Sequence, residues 1–135
     1  AEDTSPSLDV VASWEGGFRC RIPVRDFELV ADEPVKLGGT DAGPMPTELF
    51  LSSLAACFAM SVAHVARKRG VELPDLAVRA HGEYEGLRFR RIRVEVQSSH
   101  PREELEAFIQ RAISYCYISN TLQQKPEMEM GDHRT

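Results

Sequence analysis

The chain is poor in the residues that would staple it or let it bind metal. It has only three cysteines, Cys20, Cys57 and Cys116, among 135 residues. They are too few and too widely spaced for the disulfide framework of a secreted domain or for a zinc site. A reducing compartment, the cytoplasm, is expected, where any disulfide would be catalytic or sensory. Positive charge is also short: 16 basic against 21 acidic residues leave a net charge of −5. That balance argues against a general nucleic-acid or anionic-membrane surface. The opening Ala1-Glu-Asp-Thr-Ser-Pro6 is polar and acidic, so no signal peptide is expected. Internal repeats and low-complexity segments are absent. His64, His81, His100 and His133 are scattered, which speaks against a metal centre. The glycine-rich loop before residue 46 lacks the Lys-Ser/Thr ending of a phosphate-binding loop, so no nucleotide cofactor is expected.

What the chain does have is one long apolar stretch. From Leu49 to Ala66 there is no charge, and the polar side chains are Ser52, Ser53, Ser61 and His64. Alanine and leucine favour helix, and no proline or glycine interrupts the run. Pro44 and Pro46 set its entry; Arg67-Lys68-Arg69 complement the negative end of the helix dipole, and Gly70 closes it. A helix apolar nearly all round belongs in the middle of a fold. The run just reaches membrane-spanning length, but its alanine content, its four polar groups and its amphipathic neighbours favour a core helix.

Around it the pattern alternates at strand period. Leu8 to Trp14 reads as a strand, Glu15-Gly16-Gly17 as a hairpin turn, and Phe18 to Val24 as a strand with Phe18, Cys20 and Ile22 opposite Arg19 and Arg21. Phe27 to Ala31 is a third strand. After Gly70, Leu76 to Tyr84 and Arg90 to Ser98 form a second strand pair, with Leu76, Val78, Ala80 and Tyr84 expected on the buried face. Pro101 fits the first position of a helix in which Leu105, Phe108, Ile109, Ala112 and Ile113 recur at helical spacing. Cys116 ends that helix, Tyr117 to Gln124 adds a short one, and Met128 to Met130 an edge strand. The fold class is α+β in one domain, residues 1–135.

Each thiol has an ordinary reading. A free cysteine usually behaves as a small buried hydrophobe; Cys57 sits inside the apolar helix and Cys20 on an apolar strand face. Cys116 lies where one helix ends and another begins, a setting that activates a thiol. His64 lies two turns from Cys57, roughly 10 Å along a helix, which is too far for a Cys–His pair.

Taken together, however, several motifs resemble the OsmC/Ohr family of thiol-dependent peroxidases. They are Trp14-Glu-Gly-Gly17 before a basic strand, Leu37-Gly-Gly39, Gly43-Pro-Met-Pro-Thr-Glu-Leu-Phe50, Leu54-Ala-Ala-Cys-Phe58 and Cys116-Tyr-Ile-Ser-Asn-Thr-Leu122. The resemblance spans nearly the whole chain. It implies an OsmC-like fold, an intertwined homodimer with two active sites at the subunit interface, and reduction of hydroperoxides. By the same resemblance Cys57 is the peroxidatic thiol, Cys116 the resolving one, Glu48 the carboxylate, and Arg19 or Arg21 the arginine beside the thiol. A guanidinium there favours the thiolate, the actual nucleophile. The sulfenic acid left on Cys57 would condense with Cys116 to a disulfide, and an external dithiol would reopen it. Neither cofactor nor metal enters. Two departures stand out: the family's Asn-Pro-Glu is here Pro46-Thr47-Glu48, and its Cys-Pro-Val-Ser is Cys116-Tyr117-Ile118-Ser119. A redox-sensing or small-molecule-binding dimer without efficient turnover is the competing reading.

The dimer also follows from distance. Nine residues of straight helix put Glu48 and Cys57 roughly 13 Å apart along the axis and on opposite faces. One site can use both if Glu48 of one chain serves Cys57 of the other across a twofold axis.

Overall fold

The computed structural model describes residues 6–132, and the chain divides into two compact units, Ala1–Phe50 and Leu51–Thr135. The first five residues of the expected loose N-terminus, and His133, lie outside the described residues.

In the first unit, β1 (Ser13–Trp14), β2 (Cys20–Val24) and β3 (Phe27–Ala31) form an antiparallel sheet in that order. The alternation in β2 is as expected, with Cys20, Ile22 and Val24 half-buried and Arg21 exposed. The strand expected over Leu8–Trp14 contracts to its last two residues. Pairing with β2 stops at Ser13 opposite Arg21; further along β2, Pro23 has no N–H to give to a ladder on that side. Phe18 and Arg19, expected in the second strand, belong to the turn, where the Arg19 amide donates to the Gly16 carbonyl at 3.0 Å.

The chain then folds back through a loop built on Asp32. This side chain, 1% exposed, accepts hydrogen bonds from the amides of Glu33 (2.7 Å), Thr40 (3.2 Å) and Ala42 (3.1 Å) and from the Thr40 hydroxyl (2.5 Å). The Thr40 hydroxyl is the largest influence on its carboxyl. With the three amides it overcomes the opposing effect of burial and holds the pKa down at about 2. The loop is too tight for side chains at two points. A Cβ on Gly39 would lie 2.0 Å from the Glu33 carbonyl oxygen, and one on Gly43 2.1 Å from that of Val30. These close approaches are the physical content of the two glycine motifs.

Helix α1 (Pro46–Lys68) follows, with its expected bounds and without a break. Pro46 occupies the first position, where a missing N–H costs nothing. Glu48 Oε1 accepts the Met45 amide at 2.9 Å, half of a capping box.

The second unit holds the core. Strands β4 (Ala77–Glu85) and β5 (Arg88–Gln97) pair antiparallel with Val78 opposite Val96 and Ala80 opposite Val94. Helix α2 (Arg102–Ala112), a 3-10 turn (Ile113–Tyr115) and helix α3 (Tyr117–Gln123) complete it. Leu54, Phe58, Val62, Val65 and Ala66 of α1 pack with Leu105, Phe108 and Ala112 of α2 and with Cys116, against Val78, Ala80, Ile92, Val94 and Val96 of the strands. Burying side chains the size of Val62 or Phe108 stabilises by about 1.5–3 kcal/mol each. By length and composition α1 could cross a membrane; here its buried stripe packs against α2 and the strands as the core helix of an α+β fold.

Five expectations need correction. First, α1 is not buried all round in the single chain: Ala56 and Ala63 are exposed and Met60 is 71% exposed. Second, Tyr84 does not join the inward face. A bulge between Glu83 and Tyr84 breaks the alternation, leaving Tyr84 60% exposed and stacked on Phe89 at 4.7 Å. Third, Pro101 caps α2 from outside, because its extended ψ of 129° is not helical. Fourth, Cys116 does not end α2; the tighter turn over Ile113–Tyr115 intervenes. Fifth, Met128–Met130 forms no strand. Met128 and Met130 are 71% and 87% exposed, and no strand among the described residues pairs with them.

Candidate active site

The second unit brings two of the three thiols together. Cys57 projects from the middle of α1, half-buried, and packs against the core cluster that contains Cys116. Cys116 has no exposed surface and stands at the N-cap of α3, with extended backbone (φ −89°, ψ 106°). Cys57 is a neighbour close enough to influence the Cys116 thiol, and both thiols are free. Burial is the largest influence on the Cys116 thiol and pushes its pKa up. The Ser119 hydroxyl and amide, the Cys57 thiol and the Ile118 amide together outweigh burial and bring it below the ordinary thiol range. A buried sulfur next to a more open one can carry thiol–disulfide chemistry.

A cleft of about 280 Å³ opens among α1, β5, α2 and α3. Leu54, Phe58, Val94, Val96, Ile109 and Ile113 make its walls apolar, and Ser119 and Gln123 supply the polar groups. Leu54 and Phe58 flank Cys57 on α1, so the cleft and the half-buried thiol share one stretch of helix.

The other expected site residues lie in the first unit. Arg19 pairs with Glu15 at 3.3 Å; Arg21 pairs with Glu15 at 3.0 Å and with Glu28 at 3.1 Å. The two guanidiniums therefore share one carboxylate on the sheet. Glu48 caps its own helix through the Met45 amide, and it forms no ion pair among the described residues. Cys20 is half-buried on β2, opposite Ala31. Among the described residues, no group of three or more His, Cys, Asp or Glu side chains is arranged to hold a metal ion.

Two residues escaped the sequence reading. Ser119 turns its hydroxyl back to the Cys116 carbonyl at 3.4 Å, and the available signal was its spacing of three residues within one helical turn. Asp32 anchors the loop before α1; with Glu33 beside it and Asp41 in the same loop, the sequence did not single it out.

The model of the OsmC-like protein family matches residues 39–131, a span that contains both cysteine motifs. No curated protein sequence matches the chain. Among solved structures, the OsmC-like protein of Mycoplasma pneumoniae is 22% identical, with 90% of this chain and 91% of that one covered and a TM-score of 0.77. An organic hydroperoxide resistance protein OsmC of Legionella pneumophila is 23% identical over 88% of this chain and 92% of that one, at a TM-score of 0.64. The organic hydroperoxide resistance protein of Elizabethkingia anophelis, also 23% identical, covers 90% of this chain and 93% of its own, at 0.64. At these identities the likeness is one of fold. With the family match over most of its length and the fold in agreement, the chain belongs to the OsmC-like protein family.

Proposed function

We propose that this chain is a thiol-dependent peroxidase that reduces organic hydroperoxides, with Cys57 as the peroxidatic thiol and Cys116 as the resolving one. One observation carries the reading: two thiols from separate motifs meet in one core, the half-buried Cys57 in contact with the fully buried Cys116. Peroxide reaches the more open sulfur first. The Cys57 thiolate attacks one peroxide oxygen, the S–O bond forms as the O–O bond breaks, and the alkoxide leaves as an alcohol after taking a proton. The Cys116 thiolate then displaces hydroxide from the sulfenic acid, and the Cys57–Cys116 disulfide protects the site from over-oxidation. An external dithiol returns the pair to thiols. The apolar cleft lined by Leu54 and Phe58, on the same stretch of α1 as Cys57, suits a hydroperoxide with an apolar tail better than hydrogen peroxide. Two of the similar structures are named organic hydroperoxide resistance proteins, which supports the substrate class. The two units act here as one OsmC-like domain, and the reducing cytoplasm keeps the cycle supplied.

The functional molecule in this reading is a homodimer. Ala56, Met60 and Ala63 form an exposed stripe on α1 at three- and four-residue spacing, small enough to admit a second helix closely. The first unit adds exposed Trp14 (72%) and Phe27 (61%), more apolar surface than a monomer normally leaves open. Glu48 of one chain and Arg19 or Arg21 then complete the site around Cys57 of the other. The unbroken α1 keeps the axial argument for this arrangement intact.

Stopped-flow oxidation by tert-butyl hydroperoxide and by hydrogen peroxide, with free thiols counted afterwards, tests the function. Fast loss of two thiols with the alkyl peroxide is expected. Slow and equal reaction with both oxidants would favour a sensor or binding protein instead.

A further inference from the structure

His64 stands too far along α1 to serve Cys57 directly, yet its ring has a partner. It follows Cys57 by seven residues, about 10 Å along the axis and within about 20° of the same face. The ring meets that of Tyr115 edge-on, with centroids 5.5 Å apart and planes at 72°. Tyr115 is the residue immediately before Cys116 and the last of the 3-10 turn that leads into it. Two segments therefore meet at two places. Cys57 packs on the cluster that holds Cys116, and two helical turns further along α1 His64 packs on Tyr115.

The segment around Cys116 is braced within itself. Asn120 of α3 clamps it twice: the backbone amide donates to the Cys116 carbonyl at 3.0 Å and the side-chain amide to the Ser114 carbonyl at 3.1 Å. The Ser114 hydroxyl donates to the Arg111 carbonyl at 3.3 Å, which ties the turn back to α2. Anchorage in the core is sparser. The last buried residue of α2 is Ala112, and neither the 3-10 turn nor α3 contains a buried residue. Cys116 alone is buried at this corner, and it is also the residue that must react. A stiff corner held at one buried point can swivel about that point. A second contact about 10 Å away, between Tyr115 and His64, stops the swivel.

We propose that Tyr115, through its ring contact with His64, is a positioning residue for Cys116 and sets the direction from which the resolving thiol approaches Cys57. The proposal rests on the peroxidase reading above. In the closing step the Cys116 thiolate forms the S–S bond while the Cys57 S–O bond breaks, and hydroxide leaves to take up a proton. The incoming sulfur must lie in line with the departing oxygen, so orientation as well as proximity governs the rate. The earlier step, attack of Cys57 on the peroxide, needs neither ring. Tyr115 is 50% exposed and His64 is exposed, so their contact adds little to the core, and its loss falls on the angle of the corner.

A single turnover with tert-butyl hydroperoxide, quenched, alkylated and mapped by mass spectrometry, separates sulfenic acid formation from disulfide closure. Tyr115→Ala is expected to leave the first step unchanged and to slow the second by about three- to tenfold, the factor that corresponds to one edge-to-face ring pair. Tyr115→Phe keeps the ring and should close like the wild type. His64→Ala removes the same contact from the exposed side of α1, and the two alanines together should slow closure no more than either alone. His64→Ala also carries the test if Tyr115→Ala does not fold. The first step is the internal control, because loss of the dimer would slow it too. Closure at the wild-type rate in either alanine variant, equal slowing in Tyr115→Phe, alanine effects that multiply, or a slowed first step overturns the role of the pair. A wild-type protein that never forms the Cys57–Cys116 disulfide overturns this inference and the peroxidase reading together; a wild type that closes the bond, with alanine variants that close it equally fast, overturns this inference alone.

Discussion

Met60→Glu is the sharpest test of whether the molecule works as a dimer. Met60 sits on the exposed stripe of α1 with 71% of its surface open in the single chain. Methionine and glutamate are both good helix formers, so the helix itself is indifferent to the change. In a monomer the new carboxylate would be solvated, and stability would move by no more than about 0.5 kcal/mol. In a dimer with α1 packed across a twofold axis the substitution enters twice, as two like charges withdrawn from water. Each desolvated ion costs several kcal/mol. Even about 4 kcal/mol in total raises the dissociation constant roughly a thousandfold, at about 1.4 kcal/mol per factor of ten. Sedimentation velocity across a concentration series reads this directly, with circular dichroism to confirm that the fold survives. Peroxide consumption should fall with the dimer fraction, while Met60→Leu stays dimeric and active. A Met60→Glu protein that sediments and turns over like the wild type would refute the reasoning.

Two further predictions concern the first unit. Asp32→Asn should lower the melting temperature at neutral pH, because its NH2 group meets donors that now find a carboxylate. The Asp32 pKa is depressed from 3.8 to about 2, so its stabilisation is present above the ordinary value and lost as pH falls through about 2; thermal melts of the two proteins should converge there, and equal melting at neutral pH would sink the idea. Of Arg19→Ala and Arg21→Ala, one should slow peroxide consumption by roughly tenfold or more, a barrier change of about 1.4 kcal/mol. The exposed ion pairs with Glu15 and Glu28 are worth about 0–1 kcal/mol, so neither change should unfold the sheet. Wild-type kinetics in both variants would remove the arginine from the site.

The sequence was readable where one local rule met no competitor. Helix α1 spans Pro46–Lys68 with no glycine or proline after its first residue, between the entry prolines and Gly70 that were expected to bracket it. In β5, Ile92, Val94 and Val96 alternate with charges and face the core as the pattern requires. Legibility failed where a partner decides. Leu8 to Ala12 have strand-like composition but no opposing ladder, and Tyr84 was displaced by a bulge that no single residue announces. Cys57 and Cys116, which the fold brings into one core, were singled out through their motifs, since nothing local distinguishes Cys57 from an inert core cysteine. The burial of Cys116 at the start of α3 was not legible, because the 3-10 turn over Ile113–Tyr115 that leads to it has no local signature. The exposed stripe of α1 was hidden for the same reason: an all-apolar helix does not say which of its faces a single chain will leave open.

The most direct measurement of the central claim is a disulfide map of the protein after one equivalent of tert-butyl hydroperoxide, digested without reductant. Cys57 and Cys116 already touch in the reduced protein, and closing the bond asks only for Cα atoms within about 7 Å. The expected result is one dominant cross-linked peptide joining Cys57 to Cys116, with Cys20 recovered as an alkylated thiol. A dominant disulfide containing Cys20, or sulfinic acid on Cys57 with Cys116 still reduced, would contradict it.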